Sequence, residues 1–248
     1  MRSKGSDERP LALGPTGRPL HPVGALFEAA FRRLGQRFAS YMAYTIACGL
    51  PAALVYRFVD QGDVEKWVRY ALIMLAYSLG HLALVGILAG LVTGGLRDNA
   101  GSIALAVVFG GLVLTAASIV VLPFALVFYP FVVFGPIAAA AGDASGFGAI
   151  SRGARVAWGA LGRVAMVVVG LVIVGAFLWF GFVVGFSPLD RDVQTVAAIG
   201  AATLLAWPVS ALVERNLYGD LTGRLVIRDA PGDDERMADL ARRGKARD

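Results

Sequence analysis

The sequence predicts an all-α integral membrane protein with six transmembrane helices, interfacial amphipathic helices and both termini cytoplasmic. Three observations carry that prediction. Five stretches contain no Asp, Glu, Lys or Arg: 38–56, 70–96, 99–142, 164–189 and 193–213, the shortest of them 19 residues long. A hydrocarbon core ~30 Å thick is crossed by about 20 helical residues, so every run is long enough. The composition agrees, because a chain that is 57% hydrophobic and 17% charged is too apolar for a soluble domain of this size. The runs are also continuous rather than alternating in segments of ~10 residues, which selects helices over a membrane barrel.

Taken in order, residues 1–21 read as a flexible cytoplasmic tail, 22–228 as the membrane domain and 229–248 as a charged cytoplasmic tail. Eleven of the last twenty residues are charged, too many for a packed element. No cleavable leader is expected. The patch Leu11-Ala12-Leu13 is cut short by Gly14-Pro15, and the first span serves as an uncleaved anchor. The spans are placed at about 39–57, 70–96, 102–122, 124–141, 164–188 and 193–213. The split of the 44-residue run follows from its length, about 66 Å as one helix, and from Pro123, whose missing N–H and bulky ring favour a break. Charge tests the split independently. Six spans with a cytoplasmic N-terminus leave 19 Lys/Arg inside and 4 outside, whereas a single crossing of the long run leaves 9 inside and 14 outside. The positive-inside bias selects six, and a bacterial cytoplasmic membrane is the expected location.

Two segments are amphipathic. Phe27, Phe31, Leu34 and Phe38 recur at helical spacing opposite Arg32, Arg33 and Arg37. Phe147, Ile150, Ala154, Trp158 and Leu161 do so opposite Arg152, Arg155 and Arg163. Such helices lie in the interface with their arginines at anionic headgroups, or else form the inner ends of tilted spans. They share a short pattern, Gly24-Ala25 with Leu34-Gly35-Gln36-Arg37 against Gly148-Ala149 with Leu161-Gly162-Arg163, which hints that two parts of the bundle are related units.

A family resemblance rests on the same segments. Arg18-Pro19-Leu20, Gly24, Phe27, Phe31-Arg32-Arg33, Phe38 and Leu50-Pro51 resemble the start of the membrane domain found in some glycerophosphoryl diester phosphodiesterases and in stand-alone bacterial relatives. Phe131 to Pro136 with the following helix, and Leu217-Tyr218-Gly219-Asp220-Leu221, resemble later parts of that domain. The resemblance implies a six-helix membrane domain without an agreed activity. The catalytic module of those enzymes has no counterpart here, so none of its site residues transfers.

Chemistry is sparse, and no catalytic, cofactor-binding or metal-ligating residue is assigned. His81 lies deep in the second span, which makes it a functional candidate. A structural hydrogen bond to Tyr44, Thr45, Ser78, Thr115 or Ser118 is the alternative, because no carboxylate lies inside the uncharged runs. Intramembrane proteolysis lacks its Asp pair or Ser–His dyad, and proton-coupled transport lacks a buried carboxylate. Cys48 reads as a small apolar residue. Gly86, Gly90 and Gly94, and Gly181 with Gly185, form ridges suited to close helix approach. At the end of the last span, Glu214 with Tyr218 and Asp220 with Arg224 fall four apart and are expected to pair at the inner surface or to dock a partner. The net charge of +5 is assigned to topology and headgroups rather than to nucleic acid. The functional expectation is a non-catalytic module that organises anionic lipid or a partner protein, with a small-molecule or lipid transporter or channel subunit as the alternative.

Overall fold

The computed structural model describes residues 20–60, 65–120 and 122–225, and among them it is built of helices alone. These are α1 (Val23–Gln36), α2 (Phe38–Asp60), α3 (Lys66–Thr93), α4 (Ala100–Val120), α5 (Leu122–Ala140), α6 (Phe147–Gly159), α7 (Leu161–Gly185) and α8 (Arg191–Leu221). Five of them, α2, α3, α4, α7 and α8, are long and apolar enough to cross a membrane. Within α5, 127–140 forms a shorter apolar helix. Of the expected tails, 1–21 and 229–248, all but Leu20 and His21 lie outside the described residues.

The long apolar run contains two helices, α4 ending at Val120 and α5 beginning at Leu122. Pro123 falls in the first turn of α5, where the N–H it lacks would have no helical partner. The chain then doubles back. An added Cβ on Gly110 would meet Val132, and one on Gly135 would meet Ala106, so α5 runs antiparallel along α4.

The spans divide into two layers. Half of the apolar window of α4 is buried within the chain, against 11% for α2 and 6% for α7, so α4 is central and the other two are peripheral. The core joins α3, α4, α5 and α8, and includes Leu82, Leu88, Phe134, Leu212 and Leu217. Glycine lets these helices approach closely. A Cβ on Gly86 would stand 2.5 Å from Ile103, and one on Gly153 would stand 2.6 Å from the Phe134 backbone, which draws α6 onto α5. The expected ridges are otherwise different. Gly94, at φ 77°, is the left-handed cap that ends α3, and a Cβ on Gly181 or Gly185 would meet nothing within 4 Å among the described residues.

The two amphipathic helices enter their spans by the same bend. Arg37 sits at φ −134°, ψ 36° between α1 and α2, and Ala160 at φ −136°, ψ 33° between α6 and α7. Each turns its small or aliphatic side inward, Leu26, Ala30 and Leu34 in α1 and Ala149, Gly153, Val156 and Ala157 in α6. The large aromatics Phe31, Phe38, Phe147 and Trp158 are exposed. A peripheral span follows each bend, so the short sequence pattern has a geometric counterpart.

Candidate functional site

The bundle core holds a polar cluster assembled from three helices. Gly80 sets it up. A Cβ there would lie 2.5 Å from the Cys48 carbonyl and 3.1 Å from the Trp207 ring, so α2, α3 and α8 meet closely at this level. The next residue, His81, points its Nε2 at the Tyr129 hydroxyl of α5, 2.6 Å away. Tyr129 donates a short hydrogen bond to Oε1 of Glu214, and Ser210, one turn back on α8, donates to the same oxygen at 2.7 Å. The second carboxylate oxygen lies 3.7 Å from His81 Nε2. Glu214 is only 2% exposed.

Glu214 was expected to pair with Tyr218 at the inner surface, and the structure corrects this. The uncharged run ends at Val213, but α8 continues to Leu221 as a helix buried by its neighbours. His81 lies near the middle of α3, twelve residues or about 18 Å of helix from its end, and Glu214 reaches that level. His81 therefore has a carboxylate beside it, and the buried acid that proton-coupled chemistry needs is present. The hydroxyls expected to hold His81 are turned to their own helices: Thr45 to Tyr41, Thr115 to Gly111 and Ser118 to Thr115.

The hydrogen-bond chain has two directions. With Glu214 ionised, Tyr129 donates to it and His81 Nε2 donates to Tyr129. With Glu214 protonated, it donates to Tyr129, which donates to the bare Nε2. Histidine nitrogens serve either role, so the chain can shift protons between Glu214 and His81. Among the described residues, neither Oε2 of Glu214 nor Nδ1 of His81 has a hydrogen-bond partner. A carboxylate in low dielectric is costly without a counter-charge.

The cluster borders a cavity of about 210 Å³ between α3, α5, α7 and α8. One wall is polar and aromatic, formed by Tyr77, His81, Tyr129, Trp207 and Ser210. Trp207 Nε1 donates to the Tyr77 hydroxyl at 2.8 Å, which holds their rings edge to face. The other wall is aliphatic, from the valines and Leu171 of α7. Because α7 packs chiefly on α8 and barely touches α5, the space is a crevice.

A second polar cluster lies at the C-terminal end of α8, six residues beyond Glu214. Asp220 accepts from His21 Nδ1 at 2.6 Å, from the His21 backbone N–H and from Arg163 at 2.7 Å. Arg163 also donates to the His21 carbonyl. Tyr218 donates to Asp143 at 2.6 Å, and Arg224 pairs with Asp143 rather than with Asp220. Both expected i, i+4 pairs on this helix are thus replaced by partners distant in sequence. Arg163 also leaves the expected headgroup set, since it is turned to a buried carboxylate. Arg32, Arg37, Arg152 and Arg155 are exposed, Arg32 in an ion pair with Glu28, and Arg33 is half-buried.

Part of the crevice site had a sequence signal. Trp207, Ser210 and Glu214 follow i, i+3, i+7, and Tyr77 and His81 follow i, i+4, so each set shares a helix face. Tyr129 had none, being one aromatic among many in an apolar run. Comparison with protein-family models, with curated proteins and with solved structures returned no match.

Proposed function

We propose that this chain is a six-span membrane protein with both termini cytoplasmic, which takes a small, largely apolar molecule from the bilayer into the crevice beside α7, as a carrier or a carrier subunit. The observation that carries this reading is that His81 and Tyr129 line the crevice and link it to the buried carboxylate of Glu214. Ionisable groups at membrane depth mark ligand or ion pathways far more often than they serve packing, because hydrophobic residues would pack at lower cost. An aliphatic wall facing a few convergent polar groups is the usual form of a small-molecule site. The charge asymmetry along the sequence supports the orientation.

Photolabelling tests the reading. A neutral alkyl diazirine in proteoliposomes should label Leu171 and Val172 from the crevice side, and Ala206→Trp, which fills the cavity, should remove that labelling. An unchanged pattern in Ala206→Trp would reject it. For the orientation, cysteine placed at Asp190 in a Cys48→Ala background should react with an impermeant thiol reagent in intact cells, and cysteine at Ser151 should not.

A second reading has its own support. The membrane-organising role rests on α1 and α6, where exposed Phe31, Phe147 and Trp158 accompany exposed Arg32, Arg37, Arg152 and Arg155. The resemblance to the membrane domain of the phosphodiesterases is neutral between the two. A surface Arg at anionic lipid contributes on the order of 1 kcal/mol, so the four changed together to Gln should lower co-purified anionic lipid. Unchanged lipid, with orientation verified, would remove this reading.

A further inference from the structure

We propose that the crevice selects a small lipophilic ammonium compound, which competes with a proton for the charge of Glu214. The inference rests on the crevice being a ligand site and names the chemistry of its ligand.

The carboxylate is short of positive charge. Among the described residues no Lys or Arg pairs with Glu214, and its one potentially cationic neighbour is His81 at 3.7 Å. Its hydrogen-bond donors, Tyr129 and Ser210, are neutral hydroxyls on one oxygen, and Oε2 accepts from none. Neutral donors orient a carboxylate but leave its charge in place, so a proton or a bound cation must supply the balance.

The walls suit a cation with an apolar body. His81 stands 5.5 Å from the Trp207 ring and 5.8 Å from the Tyr129 ring, centre to centre, and Tyr77 stands 4.8 Å from Trp207. Aromatic groups set around a space attract ammonium groups through their ring faces. Tyr129 and Ser210 both bond Glu214 and both line the crevice, so the carboxylate stands directly behind the residues of the crevice wall. Attraction across that wall is strong where water is excluded. The aliphatic α7 wall accepts the hydrocarbon portion. The phosphate of a glycerophospholipid would be repelled by Glu214.

The titratable groups that face Glu214 are few. From α3 comes His81, and from α5 Tyr129, which is coupled in turn to Tyr77. The crevice wall of α7 contributes none. Arg215 is turned to the α1 and α2 side, near Arg33 and Tyr41. A proton and an ammonium ion therefore contest one negative charge, and each weakens the other by the same factor. Binding the cation should release a proton.

The test uses two probes of one shape: benzyltrimethylammonium, and neopentylbenzene, in which carbon replaces the charged nitrogen. Calorimetry on the purified protein in nanodiscs, in two buffers of different ionisation enthalpy, reads affinity and protons released. The ammonium probe should bind more tightly, release a proton and weaken as pH falls. Glu214→Gln should weaken it by at least about tenfold and abolish proton release. Neopentylbenzene should bind both proteins alike at every pH. Equal binding of the two probes without proton release would overturn the cation inference and leave the crevice reading standing. Binding of neither probe would overturn the crevice reading itself. Should Glu214→Gln fail to fold, the proton count and pH dependence of the native protein decide alone.

Discussion

Two histidine–carboxylate pairs lie six residues apart on α8, about 9 Å along its axis, and they are built to opposite ends. Asp220 is saturated. It receives the His21 ring, the His21 backbone N–H and the Arg163 guanidinium, so its charge is matched and the start of α1 is tied to α7 and α8. Glu214 is held by two neutral hydroxyls, borders a histidine and adjoins a cavity. The same kinds of residue are structural where a fixed cation completes them and chemically open where one is missing. Burial alone does not separate the cases, because both carboxylates are almost wholly enclosed.

Variants can break or sharpen that contrast. The largest effect belongs to Arg163→Met, which leaves Asp220 buried without its fixed cation. Removing one partner of a buried pair costs about 3–5 kcal/mol, so unfolding in detergent should shift steeply and the folded yield fall. A native-like melting curve would place Asp220 in the same class as Glu214. Tyr129→Phe comes next. It severs the link between His81 and Glu214 and leaves both short of a partner, at about 1–3 kcal/mol. With just two histidines in the chain, nitrogen NMR of labelled imidazoles can follow this change directly. The signal of His81 should move, and that of His21 should stay.

Tyr218→Phe should cost about 1 kcal/mol, the net value of one hydrogen bond, because Asp143 keeps its pairing with Arg224. A loss several times larger would show that the Asp143 contact secures this end of the bundle as firmly as Asp220 does. The smallest stability effect belongs to Glu214→Gln. An amide keeps the shape and discards an unmatched charge, so the shift should lie within about 1 kcal/mol and can be stabilising. The same variant should lose cation binding. Small in stability and large in function is the signature that separates this cluster from its neighbour on α8.

Much of the architecture was legible from particular residues. The uncharged runs located the long helices, and Pro123 located the break between α4 and α5 to within a residue or two. The amphipathic spacing of α1 and α6 was readable, and the structure adds that an aliphatic and small-residue stripe of each packs on the bundle while Phe31, Phe147 and Trp158 stay exposed. Local pairing rules failed at the end of α8. Tyr218 and Asp143 are 75 positions apart and Arg163 and Asp220 57, and no i, i+4 argument can see such partners.

What the sequence by itself determined is where the chain is apolar enough to leave water, because that depends only on composition over about 20 consecutive residues. It also placed His81 within such a stretch. Only the tertiary structure decided that Glu214 belongs inside as well. Hydropathy along the chain treats each carboxylate as a group that must stay wet, so a glutamate at the end of an apolar run reads as the boundary of the span. The cost of burying it is partly offset by groups from elsewhere, the Tyr129 donor on α5 at 85 positions' separation and the His81 ring of α3 beside it. Those partners exist only once the helices have packed, and so does the crevice beside them.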